Sequence, residues 1–510
     1  MDLSLSSSNW PLFAAASLLL LLARSLYHLA SSRLRLRHVP GPSASSLIWG
    51  EEWNLYRNAP GSSYIPWTKT YGNVVKINGA FRHPILCITD SRAISYILSL
   101  HPYGFPKPHG VRVWFQKTIG EGILYTEGKA AHERQRRLLA PAFSQHSVRD
   151  LVPIFHETSG KLAAQWSQII DNAGVEEAEI EVTNWAGRFA LETVARTAFS
   201  HQFNLLSGES SNLLEALDGL TNNEHNTTSF YMRALFWIVP SILDIGKKGE
   251  MVRRTKSELG EVARKMWRDA KVADDSHDKS LMAQMLRADT SSDKRMEEDE
   301  VVAQLRTILS AAYEPVSASI AWILYELAVN PEIQEQLRAE ISASPSEPTL
   351  EELTNDFPIL NAVISETLRL HPPILENHHQ AEEDTLVPLS HPLPGSSDMH
   401  LLIPKGTILF IPVNVIQTNP DVWGLDAHLF RPKRWMDGQA KHNLFAFSDG
   451  PRSCIGKRFA QAELKALIVT LIRQFSVSCR HDIEAFQSFV VRPRVVGTPM
   501  SSLPLVVRRV

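Results

Sequence analysis

Cysteine is scarce in this chain of 510 residues, with only Cys87, Cys454 and Cys479. An odd, sparse set cannot build a disulfide framework and fits a reducing compartment. An excess of one charge is also lacking: 52 Lys and Arg against 55 Asp and Glu leave a formal net charge of −3, which offers no global basic field for nucleic acid. There is no internal repeat and no long low-complexity block. No G-x-G-x-x-G follows a strand-like run, so nothing here reads as a flavin or nicotinamide module. What remains is an ordinary globular composition, 44% hydrophobic and 21% charged, sufficient for a large core. The polar stretch from Ala273 to Glu300 reads as a solvated connection between helices, not a domain linker.

Charge is absent in a second, local sense. From Leu3 to Ala23 there is none, and WPLFAAASLLLLLA followed by SLYHLA is long enough to cross a bilayer if Arg24 snorkels to an interface. Arg33, Arg35 and Arg37 follow, placing the basic cluster behind the apolar run and not ahead of it. That order argues for a single-pass anchor with a cytosolic body and against a cleaved signal peptide. Pro40-Gly41-Pro42 would stop the anchor helix. The expected division is residues 1–30 as anchor, 31–60 as a basic and Pro/Gly hinge, and 61–510 as one catalytic body.

Helical periodicity dominates that body. Val301–Val329 and Leu360–Leu370 carry apolar residues at three- and four-residue spacing. Shorter apolar or β-branched runs, NVVKING, HPILCITD, GTILFIPVNV and VVRPRVVG, read as strands. The expected class is mainly α with a minor β part. Cys87 and Cys479 fall in strand-like runs and read as buried small hydrophobes.

Cys454 is different. In FAFSDGPRSCIG, Phe445 to Gly456, it is bracketed by Gly450 and Gly456 and preceded by Arg452, a fixed cation suited to a carboxylate. The amphipathic KRFAQAELKALIVTLIRQF follows, so the thiol stands at a helix N-terminus, where its thiolate should be stabilised. A nucleophile would need a base, for which His442 alone is weak support, and zinc would need further Cys or His ligands. A single axial thiolate on a haem iron remains, with Arg452 meeting a propionate.

Phe447, Gly450, Arg452, Cys454 and Gly456 together resemble the F-x-x-G-x-R-x-C-x-G loop of the cytochrome P450 superfamily. Glu366-Thr367-Leu368-Arg369 is similar to its E-x-x-R element, an i, i+3 pair that taken alone would be a surface ion pair. Phe430–Trp435 resembles its F-x-P-E-R-W segment, with Lys433 in place of the acid, and the resemblance implies that Arg434 joins the Glu366–Arg369 pair in a buried core network beneath the haem. His132 and Arg136 resemble the family's propionate-facing turn, and His379 falls where a propionate-binding arginine is common. The long-helix pattern A-G-x-D/E-T becomes Ala311-Ala312-Tyr313-Glu314-Pro315: the acid is kept as Glu314, and the relay alcohol is replaced by Pro315. Proline should open or kink that helix at the carbonyl of Ala311, and Ser319 or a substrate hydroxyl would order water instead.

The resemblance, strongest to fungal microsomal members, implies a haem-thiolate monooxygenase with haem b on Cys454 and catalytic roles for Glu314 and Pro315. Electrons would come from NADPH through a membrane-bound NADPH–haemoprotein reductase, with a b-type cytochrome as a further partner. The reductase would dock on Arg134, Arg136, Arg137, Lys457, Arg458 and Lys465. One oxygen atom of O2 would enter a lipophilic small molecule, for example a terpenoid in secondary-metabolite biosynthesis, at the endoplasmic reticulum membrane. The segments Tyr103–Phe115 and Phe203–Pro240 would shape the substrate pocket. Loss of the alcohol also admits a haem-thiolate isomerase or dehydratase needing no O2, or a non-catalytic haem sensor.

Overall fold

Apolar residues that recur every turn on more than one side of a helix demand neighbours all round, and the segment ahead of Asn330 has them. The computed structural model describes residues 31–510 except 175, 210, 223–225, 274–279, 284, 286–295, 345, 439–443 and 488. The anchor expected over residues 1–30, and His442, lie outside the described residues. Seven helices position the site: α1 (Lys129–Leu139), α2 (Gln145–Ala173), α3 (Val182–Phe199), α4 (Gly246–Ala273), α5 (Glu298–Val329), α6 (Pro358–Leu370) and α7 (Lys457–Gln474). Helix α5 runs through the middle, packed by α3, α4, α6 and α7. Among the described residues it alone is long and apolar enough to cross a membrane, yet it is a core helix.

Local signals set the helix ends. Ser144 caps α2 by accepting from Ser147 N, and Gly174 ends it in the left-handed region at φ 64°. Pro358 opens α6, where its missing N–H costs nothing.

Four strands form the main sheet: β1 (Val74–Asn78), β2 (Pro84–Ile88), β3 (Glu376–Gln380) and β4 (Ile408–Pro412), in the order β1-β2-β4-β3. The β2–β4 pair is parallel, with Ile85 opposite Ile408, and the outer pairs are antiparallel. A hairpin, β5 (Ile483–Gln487) and β6 (Val491–Val495), lies farther along the chain. All four strand-like runs read from the sequence are strands, and the body is mainly helical. Cys87 is buried in β2 as expected. Cys479 is not: it lies just past the strand Phe475–Ser478, half-buried, with Sγ donating to His481 O at 3.3 Å.

Two segments differ from their sequence reading. In the stretch read as solvated, Leu281, Met282, Met285 and Met296 are buried in the core around α4 and α5, because the LMAQM spacing supplies an apolar face within polar surroundings. Residues 31–60, read as a hinge, pack on the body. Leu36 and Val39 are buried, Lys76 N of β1 donates to Pro40 O at 2.8 Å, and Arg35 pairs with Asp384.

Within the core, α7 carries Glu463, 1% exposed, with no hydrogen-bond partner on either carboxylate oxygen. Thr193 of α3 approaches it at a geometry short of a hydrogen bond. Burial pushes this carboxyl well above the usual range. A raised folded-state pKa means that the stability contribution is whole below the unfolded-state pKa and is lost as pH rises through the folded value. Glu463→Gln is therefore expected to raise Tm by a few degrees in alkaline buffer and to leave it unchanged in acid. Thermal unfolding across pH reads this directly, and a shift independent of pH contradicts it.

Candidate functional site

The loop ahead of α7 is held by its own backbone. Cys454 N donates to Phe447 O at 2.9 Å, Asp449 accepts from Gly450 N at 2.8 Å, and Ser453 N donates to Gly450 O at 3.0 Å. Gly450 sits at φ +71°, and a Cβ there would lie 2.0 Å from Leu98 O. Both the conformation and the close approach require glycine. At Gly456 the protein sets no such demand, since a Cβ would meet only Phe143, at 4.0 Å.

This loop forms one wall of a cavity of about 800 Å³. Cys454, Phe447, Arg452 and Gly456 line it, as do His132 and Arg136 of α1, His379 of β3, and Ala311, Glu314 and Pro315 of α5. Gly450 apart, the cavity therefore collects the residues singled out around Cys454 from four separate stretches of chain. Val111, Trp114, Phe115, Met232, Phe236 and Trp237, from the two segments expected to shape the pocket, contribute much of its apolar wall.

Cys454 is exposed to this cavity while lying deep in the protein. The thiol's pKa is raised, because burial outweighs the Gly456 N–H and the Arg136 and Lys457 charges that favour the thiolate. The helix-terminus argument thus gave the wrong net direction for the protein chain alone; binding to a metal cation would supply the missing stabilisation of the thiolate.

A cationic pole lies beside the loop. Arg136 donates to Ser453 O at 2.8 Å, and Arg452 donates to Thr126 O at 3.4 Å and pairs with Glu127. Lys107 Nζ also meets Glu127, at 3.3 Å. His132 Nδ1 lies 3.1 Å from Tyr103 Oη, so a tyrosine O–H donated to Nδ1 leaves Nε2–H as a donor. Burial, then Arg452 and Lys107, lower the His132 pKa to about 4. His379 is lowered to about 4 as well, chiefly by burial, and its Nδ1–H is given to Phe105 O at 2.8 Å. Neutral His379 therefore presents Nε2 as an acceptor, so it cannot donate to a carboxylate as a neutral ring. Tyr103 and Lys107 lie in a segment expected to shape the substrate pocket, not the cationic pole, and nothing in the local spacing marks Glu127.

On the opposite wall, α5 continues as helix through Pro315 and is not broken there. Pro315 has no N–H to give the Ala311 carbonyl, and Ala311 is exposed to the cavity. Ser319 Oγ donates to Pro315 O at 2.7 Å, so its proton is held within the helix and only its lone pairs face outward chemistry. Glu314 is 2% exposed and pairs with Arg492 of β6, Oε1 to Nη2 at 3.2 Å. Arg492 also holds Asp218 at 3.1 Å. Arg492 was missed in the sequence because it lies far along the chain from Glu314.

Glu366 and Arg369 are fully buried, not a surface pair. Arg369 Nε and Nη2 each donate to Glu366 at 2.8 Å, Arg434 Nε at 2.8 Å, and Trp435 Nε1 at 2.9 Å. Lys433 is exposed, away from this network. Of the basic residues expected to meet a reductase, Arg137, Lys457 and Arg458 are exposed, whereas Arg134 is paired with Glu300. Lys465 is half-buried, its pKa lowered to about 8 by burial.

The residues fit a thiolate-ligated haem on two observations. Sγ of Cys454 faces a cavity in which Gly456 leaves room for a flat group, and Arg452 Nε is buried with no hydrogen-bond partner at the cationic pole. Cys454 would hold the iron, and Arg136, Arg452 and His132 would hold the propionates.

Comparison with known proteins agrees. Residues 40–496 match the family described as Cytochrome P450. The cytochrome P450 monooxygenase claQ of Ampulloclitocybe clavipes is 32% identical over 497 residues, covering 92% of each chain. Cytochrome P450 monooxygenase 128 of Postia placenta is 32% identical over 557 residues, covering 99% of each.

Proposed function

Because the chain belongs to the cytochrome P450 family and is a P450 monooxygenase, we propose that it inserts one oxygen atom from O2 into a lipophilic small molecule of fungal secondary metabolism. Electrons come from an NADPH-dependent reductase, and residues 1–30 anchor the protein in the endoplasmic reticulum membrane with residues 61–510 in the cytosol. The observation that carries the reading is the Cys454 thiol opening onto a largely apolar cavity opposite α5. A haem bound there would supply O2 activation, with the thiolate's electron donation favouring O–O cleavage.

The chain's own residues would do the rest. Arg136, Arg452 and His132 orient the propionates, with Arg136 also fixing the Ser453 carbonyl. Trp114, Phe115 and Phe236 exclude water and hold the apolar body of the substrate. The Ala311 carbonyl, freed by Pro315, accepts from a water or a substrate hydroxyl in place of the missing alcohol. Exposed Arg137, Lys457 and Arg458 attract an acidic reductase surface.

The carbon-monoxide difference spectrum of the dithionite-reduced protein tests the reading. A strongly red-shifted Soret band is expected, and Cys454→Ser is expected to abolish it in folded protein. No such band in the wild type would overturn the assignment. A second reading, isomerisation or dehydration of an oxidised substrate, is favoured by Glu314 being bound to Arg492 beside a helix without a relay alcohol. Turnover that persists without O2 and NADPH would select it.

A further inference from the structure

Arg233 differs from the other half-buried cations of the cavity wall. Arg136 is held by Ser453 O, Lys248 by Leu220 O, and Arg494 by Glu484. Arg233 projects from the helix Thr227–Phe236 with its side chain 26% exposed. Its Nε is shut off from solvent and has no hydrogen-bond partner among the described residues.

The neighbouring acids do not fill the fork. Glu52 Oε2 stands 4.0 Å away, and burial raises the Glu52 pKa to about 8, so it is largely protonated at neutral pH. Its Oε1 also has no partner. Glu376 has its two oxygens engaged, one by Tyr64 Oη–H and the other by His378 Nε2, each at 2.8 Å. A guanidinium Nε–H withdrawn from water and unfilled is destabilising unless a ligand's oxygen completes it. The planar fork is matched best by a carboxylate.

Around it the wall is apolar, with Met232, Phe236 and Trp237 from the same stretch of chain. Trp237 is itself fixed against His378 and Phe410. Arg233 and Cys454 line the same cavity from different elements, so one elongated ligand can reach both. Resting on the monooxygenase reading above, we propose that Arg233 anchors a carboxylate on the far end of the substrate, which makes the substrate a lipophilic carboxylic acid.

The test is displacement of a dansylated undecanoic acid from the haem-loaded protein by dodecanoic acid, dodecanol and methyl dodecanoate. The acid is expected to bind about tenfold tighter than the alcohol or ester. Arg233→Gln is expected to erase that preference and Arg233→Lys to keep part of it. Equal binding of acid and alcohol by the wild type overturns the proposal, as does an acid preference unchanged in folded Arg233→Gln. If the Gln variant does not fold, the wild-type ratio and the Lys variant still decide. The carbon-monoxide band, recorded on each sample, separates the failures. A normal band without acid preference sinks the anchor alone, and an absent band sinks the haem reading.

Discussion

Replacing Glu366 by alanine is expected to lower folding stability by about 3–5 kcal/mol. The carboxylate accepts from Arg369, Arg434, Trp435 and the backbone N–H of Arg431. Arg369 is 0% exposed and Arg434 2%, so removing their shared anion leaves two guanidinium charges in the interior. Other acceptors soften the loss without cancelling it: Arg369 also donates to Gln417 O and Ala427 O, and Arg434 to Trp423 O, Asp426 O and, at 3.4 Å, the Asp426 carboxylate. Urea unfolding of the variant checks the figure. A loss under about 1 kcal/mol would mean that these other acceptors alone satisfy the arginines. Glu366→Gln, which keeps two polar atoms and drops the charge, is expected to fall between.

The second large effect is at Gly450. Alanine there must hold φ +71° and place a methyl 2.0 Å from Leu98 O, so the loop or the Leu98 segment has to move. Since Gly450 O accepts from Ser453 N, that movement reaches the residue next to Cys454. Gly450→Ala is expected to lose most of the red-shifted carbon-monoxide band. Gly456→Ala is the contrasting case, because its methyl would meet protein only at 4.0 Å. It should leave the thermal stability of haem-free protein unchanged while weakening haem retention, measured by transfer to apomyoglobin. Equal behaviour of the two variants in both assays would contradict this division of roles.

How far such features were legible before the fold depended on how local their causes are. The Cys454 loop was readable because its glycines, arginine and thiol act within a few residues of one another. The long helices and the four strand-like runs were readable for the same reason, since their periodicity is carried by contiguous residues. Spacing alone pairs Glu366 with Arg369, whereas their burial with Arg434 was implied only by the family resemblance, because the residues that cover them, such as Gln417 and Arg434, come 48 and 68 residues later in the chain. The sign of the Cys454 shift failed similarly: a helix start is visible in sequence, whereas burial is a sum over distant chain. Arg492 on Glu314, and Lys107 beside Glu127, are long-range meetings with no local pattern. The stretch around Met282 was misread because abundant charge masked a short apolar face.

Helix α5 carries one more consequence, which concerns synthesis. It is apolar enough to pass for a membrane span, and α6, α7 and the strand Phe475–Ser478 that pack against it are all encoded downstream. A nascent chain that has emerged only as far as residue 357 therefore carries this helix with α3 and α4 covering part of it and with the face that meets α6, α7 and the strand still bare. That face stays open until translation has passed residue 478, near the end of the chain.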